Sequence, residues 1–276
     1  MPIELIEDPD DVRLAPFRLN DRGLSHRGER ANDDAPGRFL AEGDLVVERA
    51  LAAGCRPVAA LVDAAGPPGG RILERFTAAP GAGGQPAAVF GAGDALRRQV
   101  ARMGRVQPII AVFERPTRPT PSAVIESADR LVVLEAVDNP GNVGSIVRNA
   151  AALGWAGLLL DRTSADPLAR RSLRVAMGTA FAVRHARSDD LVATLRDLTG
   201  AGWVTVALTL EADAADLATI EPGPRCAVVI GAERTGLSAP VLAACGLRAR
   251  IPMHPAVDSL NAAAASAIAC YQLRRR

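Results

Sequence analysis

Short apolar runs alternate along the chain with stretches whose apolar residues recur every three or four positions. The runs Val58-Ala59-Ala60-Leu61-Val62, Ala87-Ala88-Val89-Phe90 and Ile109-Ile110-Ala111-Val112-Phe113 have strand length and no polar interruption. Between them, residues 45–51, 72–76 and 94–105 space their apolar side chains as one helix face does. This alternation, opened by a short strand at Phe39-Leu40, predicts a small α/β domain over residues 38–113. Residues 114–122 carry Pro116, Pro119 and Pro121 and predict a stiff linker. Residues 1–37 are polar and turn-rich and predict an irregular arm with one short helix.

A second strand-and-helix series fills residues 123–276. Leu131-Val132-Val133-Leu134, Gly157-Leu158-Leu159-Leu160, the run 203–208 and Cys226-Ala227-Val228-Val229-Ile230 predict strands. The last of these is apolar throughout and so is expected at the centre of a parallel sheet. Short strands are expected at 181–183 and 250–253, and helices at 143–153, 167–176, 189–198, 240–244 and 259–275.

Composition narrows the function. The chain has 276 residues, of which 49% are hydrophobic, enough for two ordinary domains with their own cores. Aromatics are 3%, so stacking platforms for single-stranded nucleic acid are scarce. Formal net charge is +1 and every cation is an arginine, so a polyanion partner has to be held by local clusters. Two clusters qualify. Arg97, Arg98, Arg102 and Arg105 crowd one side of the 94–105 helix, and Arg170, Arg171 and Arg174 share the 167–176 helix. Like charges at i,i+4 repel by roughly 0.2–0.5 kcal/mol per pair. Without acidic neighbours on that face, the first row predicts contact with a phosphate backbone; a solvated surface is the alternative. Cys55, Cys226, Cys245 and Cys270 form no CxxC pair and the three histidines are scattered, which predicts neither a disulfide framework nor a metal site. No apolar run approaches ~18 residues. The first residues are acidic where a signal peptide is basic, so a cytoplasmic protein without a membrane anchor is expected.

Three stretches concentrate the chemistry. Asp138-Asn139-Pro140-Gly141 is a turn that leads from a strand into a helix carrying Asn142 and Arg148. Long helical side chains lean toward the N-terminus, so Arg148 is expected over the loop that holds Asn142. An amide and a permanent cation then converge where a phosphate can be held; a capping Asn and a surface Arg are the alternative. Gly231-Ala232-Glu233-Arg234-Thr235-Gly236-Leu237 follows the central strand, with Gly231 leaving room for a ligand and Glu233 supplying a carboxylate. Ile251-Pro252-Met253 precedes Ser259-Leu260-Asn261. Ser259 is placed to cap the last helix, whereas Asn261 falls inside it and is left for another role. In open α/β sheets ligands bind at such strand ends. There is no G-x-G-x-x-G after a strand, no lysine for a P-loop and no G-x-S-x-G elbow.

Taken together, Asn-x-Gly-x-x-x-Arg at 142–148, Ile-Gly-Ala-Glu-x-x-Gly-Leu at 230–237 and Ile-Pro-Met with Ser-Leu-Asn at 251–261 resemble the three motifs of the SpoU (TrmH-type) RNA ribose 2′-O-methyltransferases of the SPOUT superfamily. Phe39-Leu40-Ala41-Glu42-Gly43 before a helix is similar to the L30e-like substrate-binding domain that often precedes the catalytic domain. The resemblance implies a parallel-sheet α/β domain tied in a deep trefoil knot, which holds S-adenosylmethionine. It also implies a homodimer with the active site completed across the interface. Gly231, Ile251, Leu260 and, beside them, Met253 match cofactor-holding positions. Asn142, Arg148, Glu233, Ser259 and Asn261 match the polar catalytic set, with Asn142 and Glu233 expected to position Arg148. Asn149-Ala150 departs from the commoner Thr or Ser before Ala, and Ala262-Ala263-Ala264 from the frequent Val and Ser. The implied substrate is RNA. A separate N-terminal domain favours ribosomal over transfer RNA, and a non-catalytic RNA-binding protein that kept the fold is the rival reading.

Overall fold

The computed structural model describes residues 3–18, 37–68, 70–101 and 106–275. The chain divides into two compact units, Met1–Thr117 with Leu168–Phe181, and Arg118–Pro167 with Ala182–Arg276.

The first unit is a mixed sheet of five strands in the order β1 (Glu4–Leu5), β4 (Ala88–Ala92), β3 (Pro57–Asp63), β5 (Ile109–Glu114) and β2 (Arg38–Glu42). β5 runs antiparallel to both its neighbours, and the other pairs are parallel. Helices α1 (Ala15–Arg18), α2 (Asp44–Ala52), α3 (Gly70–Ala78) and α4 (Asp94–Ala101) complete it. The arm expected over 1–37 is built structure at residues 3–18. Ile6, Leu14 and Phe17 are buried in the core beside Leu40, Leu61, Phe90 and Val112, and the Phe17 ring stands edge-on to Phe90 at 6.5 Å. Burial of each such side chain contributes about 1.5–3 kcal/mol, which a polar count over the arm does not register.

A second correction concerns residues 168–181, expected in the C-terminal domain. Helix α7 (Arg170–Val175) and the turn Thr179–Phe181 belong to the first unit. Arg170 and Arg174 form ion pairs with Glu42 at the end of β2, a carboxylate only 5% exposed. Arg49 donates to the Met177 carbonyl at 2.6 Å, and the Phe181 ring lies 5.6 Å from that of Phe39.

The second unit is a seven-stranded, wholly parallel sheet. Its order is β10 (Ala215–Asp216), β12 (Leu247–Arg250), β9 (Val204–Leu208), β11 (Cys226–Ile230), β6 (Arg130–Leu134), β7 (Gly157–Leu160) and β8 (Arg184–Arg187). β11 is the central strand, as expected, and all five of its residues are buried. Its helices are α5 (Pro121–Glu126), α6 (Pro140–Ala152), α8 (Leu191–Gly200), α9 (Ala239–Ala244) and α10 (Ala262–Gln272). Val124, Leu195, Leu198 and Val241 pack with Leu131, Val133, Ala227 and Val229 on one face of the sheet. α10 is tied to α6 and to the chain just beyond it. The Asn149 amide donates to the Ala263 carbonyl at 2.9 Å and to Ser266 Oγ at 2.8 Å, and Trp155 Nε1 donates to the Cys270 carbonyl at 2.9 Å. The unusual Asn149 thus anchors the last helix.

Three boundaries move. The last helix starts at Ala262, the strand expected at 250–253 is Leu247–Arg250, and the one expected at 181–183 is Arg184–Arg187. α5 begins inside the expected linker, where Thr120 Oγ1 accepts from the Ala123 amide at 3.2 Å and Pro121 opens the first turn.

Candidate active site

Strands β9, β11 and β6 end together, and the loops that leave β9 and β11 face the segment before α10. Between these loops and α10 lies a cavity of about 530 Å³. Gly231, Ile251, Met253 and Leu260, the four expected cofactor positions, all line it, together with Glu233 and Ser259. Its size falls within the roughly 300–1,000 Å³ of small-molecule sites, and its wall mixes aliphatic side chains with exposed loop backbone. The segment Leu208-Thr209-Leu210-Glu211 also lines it. The strand-end rule that singled out the other loops applies equally to the end of β9 and identifies this one.

Loop 231–237 is a tight hairpin. Ala232 and Gly236 form an isolated bridge, the Gly236 amide donates to the Ala232 carbonyl at 2.9 Å, and Gly236 has φ +65°. A Cβ on Gly231 would lie 2.6 Å from the Leu237 nitrogen. Its space is taken by the returning loop, so glycine is required by the hairpin itself.

Beside the cavity three side chains form a chain of hydrogen bonds. Asn261 Nδ2 donates to Asn142 Oδ1 at 3.1 Å and to Glu233 Oε1 at 2.5 Å. Asn142 is 8% exposed, within the first turn of α6, and the cap of that helix is Asn139, which accepts from the Gly141 amide at 2.9 Å. Asn261 is itself the cap of α10, accepting from the Ala263 amide at 2.9 Å. Ser259, expected in that role, lies two residues before the cap and is exposed on the cavity wall.

The loop between β6 and α6 is braced by Asp161. Its carboxylate accepts from the Ser164 amide at 2.9 Å and from the Thr163 hydroxyl, and Ser164 Oγ accepts from the Val137 amide at 3.1 Å. Burial pushes the Asp161 carboxyl up, but these hydrogen bonds and one from the Ala136 amide outweigh it and hold it below its ordinary 3.8. Ala136 sits at φ +55°, a conformation that costs about 1 kcal/mol or more outside glycine.

Arg148 is not in this network. It is exposed on α6, without a hydrogen bond or ion pair among the described residues, so Asn142 and Glu233 do not position it within the chain. The expected phosphate-binding rows also change. Arg97 is 2% exposed, paired with Asp63 at 2.7 Å and donating to the Gln107 carbonyl at 2.8 Å. Arg98 pairs with Asp94 at 2.6 Å. Arg102 and Arg105 lie outside the described residues. Arg170 and Arg174 are held by Glu42, which leaves Arg171 exposed. At the cavity rim Arg234 is exposed without a partner among the described residues, because the neighbouring Glu233 turns to Asn261. Among those residues no group of three or more His, Cys, Asp or Glu could hold a metal, and no helix is long and apolar enough to cross a membrane.

Comparison with known proteins agrees with this geometry. A tRNA/rRNA methyltransferase of Mycobacterium tuberculosis, itself uncharacterized, is 34% identical over 279 residues, covering 100% of this chain and 93% of that one. The AdoMet-bound rRNA methyltransferase from Sinorhizobium meliloti superposes with a TM-score of 0.80 at 25% identity, covering 98% of this chain and 97% of its own. A structure described as an RNA 2′-O ribose methyltransferase gives a TM-score of 0.74 at 25% identity, with 98% and 97% covered. The family model of the SpoU rRNA methylases matches residues 129–271, which include every residue that lines the cavity, and the chain belongs to that family of RNA methyltransferases.

Proposed function

We propose that the protein transfers a methyl group from S-adenosylmethionine to a ribose 2′-hydroxyl of RNA, with ribosomal RNA as the substrate. One observation carries this reading: four separated positions, Gly231, Ile251, Met253 and Leu260, line one cavity beside the Asn142–Asn261–Glu233 network. The similarity to an RNA 2′-O ribose methyltransferase over nearly the whole chain supports the choice of ribose. The N-terminal unit, read as an L30e-like RNA-binding domain over 38–113, supports the choice of ribosomal RNA.

When bound, S-adenosylmethionine supplies a methyl group activated by its sulfonium. The chain contributes position and charge. The aliphatic wall of Ile251, Met253 and Leu260 excludes water. Asn261 fixes Glu233 and Asn142 at the end of the cavity, and Ser259 meets the substrate. Arg148 lies six residues beyond Asn142, which at about 100° per residue turns it to another side of α6. We therefore assign it to the site of a second copy in a homodimer. An arginine is not a base at ordinary pH. Its guanidinium holds the phosphate next to the target ribose and stabilises the negative charge that grows on the hydroxyl oxygen, while the proton leaves to that phosphate or to water. Arg234 holds the RNA backbone at the rim. The return of residues 251–261 to the ends of β11 and β6, with α10 packed on α6, supports the trefoil knot.

Mass-spectrometric mapping of 2′-O-methyl groups, in ribosomal and transfer RNA from cells with and without the protein, tests the reading. The expected result is one methylated ribose lost from ribosomal RNA, with transfer in vitro abolished by a 2′-deoxy target. Loss confined to transfer RNA would overturn the substrate, and transfer to the deoxy target would overturn the ribose.

A further inference from the structure

Glu135 is the residue that follows β6, and it touches both ends of the hairpin on the cavity wall. Its amide donates to the Ile230 carbonyl at 3.0 Å, carrying the β6–β11 ladder one residue past Leu134. Its carboxylate accepts from the Ser238 amide at 2.8 Å through Oε2, and from the Ser238 hydroxyl at 2.6 Å through Oε1. Ile230 is the last residue before loop 231–237 and Ser238 the first after it. Ser238 Oγ also caps α9, at 3.4 Å from the Val241 nitrogen. The hairpin in between is braced by the Ala232–Gly236 bridge and by Leu237, which is buried in the core.

Resting on the reading above, we infer that Glu135 is a positioning residue for the methyl donor. By holding Ile230 and Ser238 together it sets the spacing of loop 231–237. That spacing fixes the donor-facing wall. Hydrogen bonds to a carboxylate are about twice as strong as neutral ones, so one residue suffices to close the loop. Without the carboxylate the hairpin stays in the chain but its far end is released, and the donor loses a preformed wall.

The test is isothermal titration of S-adenosylmethionine into the full chain, beside melting temperature and initial rates. Losing the charged clamp in Glu135→Ala is expected to raise Kd and KM for the donor about tenfold, with kcat at saturating donor within about twofold of wild type. Glu135→Gln is expected to recover most of the affinity, since its amide oxygen still accepts from the Ser238 amide. Ser238→Ala removes the hydroxyl, and with it the long cap bond of α9, but keeps the amide bond to Glu135; with its melting temperature read beside Kd it carries the test if Glu135→Ala fails to fold, and it is expected to be non-additive with Glu135→Ala. Unchanged Kd in Glu135→Ala, or in Ser238→Ala where that variant stands in, overturns the inference and leaves the proposed function standing. A wild-type chain that does not bind S-adenosylmethionine overturns both.

Discussion

Asn261 uses both ends of one carboxamide. Its oxygen accepts from the Ala263 amide at 2.9 Å and so starts α10, while its nitrogen donates to Asn142 at 3.1 Å and to Glu233 at 2.5 Å. The two partner oxygens leave no choice about which way the amide faces. The helix start and the polar network are therefore set by one rotamer.

This predicts separable losses. Asn261→Asp keeps an oxygen for the cap but removes both donors and sets a carboxylate against that of Glu233. Removal of one well-placed donor commonly costs a hundredfold or more in rate, so methyl transfer is expected to fall about a hundredfold. Asn261→Ala loses the cap as well and is expected to lower stability by about 1 kcal/mol. Rate measurements beside denaturant melts separate the two. Wild-type turnover in Asn261→Asp would remove the network from the mechanism.

The parallel sheet and the position of the cavity were legible before any coordinates. Cys226-Ala227-Val228-Val229-Ile230 has no polar residue, which only a strand covered on both faces tolerates, and it is the central strand. The positions at 231, 251 and 260, taken from the resemblance to the SpoU motifs, meet in one place. Pairings between distant charges were not legible. Arg97 reads as a surface cation until β3 brings Asp63 within 2.7 Å of it. Residues 168–181 read as part of the C-terminal domain because their pattern says nothing of Glu42, 128 residues before Arg170. Glu135 was missed because its partner, Ser238, is fixed by the closure of a hairpin rather than by spacing.

Glu42 anchors residues 168–181 to the first unit, and its loss should register as stability rather than as RNA affinity. Removing one partner of a buried ion pair costs about 3–5 kcal/mol; because Arg170 and Arg174 stay partly exposed here, Glu42→Ala is expected at or below the lower end. Urea melts give the value. Arg174→Ala is expected to leave the salt dependence of RNA binding unchanged, whereas Arg234→Ala lowers its slope by roughly one. A reduced slope in Arg174→Ala would return that residue to the RNA surface.

Asp161 gives the fold a dependence on acid. Its carboxyl is held below the ordinary 3.8, so the unfolded chain binds that proton more readily than the folded one. The stabilisation is therefore complete well above 3.8 and is lost as pH falls through the lower folded value. Asp161→Asn is expected to melt at a lower temperature than wild type at pH 7 and to approach it as pH drops below 3.8. A difference in melting temperature that stays constant from neutral to acid pH would show that the carboxylate does not carry the effect. Release of the 136–138 loop in this variant is also expected to slow methyl transfer, because that loop leads into Asn142.

Arg148 supplies the test of shared sites. It is exposed on α6, on a different side from the buried Asn142, and among the described residues it has no partner in its own chain. Arg148→Ala is expected to abolish turnover at near-normal donor affinity, because the guanidinium acts on the substrate phosphate. Asn142→Ala is expected to be inactive for a separate reason. If each site takes its arginine from the other subunit, random mixing of the two variants places both lesions in one site of a mixed dimer and leaves the other intact. Half the dimers are mixed and each has one good site, so about a quarter of wild-type activity returns. Arginine acting within its own chain would leave every site in every dimer with one lesion, and the mixture would stay as inactive as its parents.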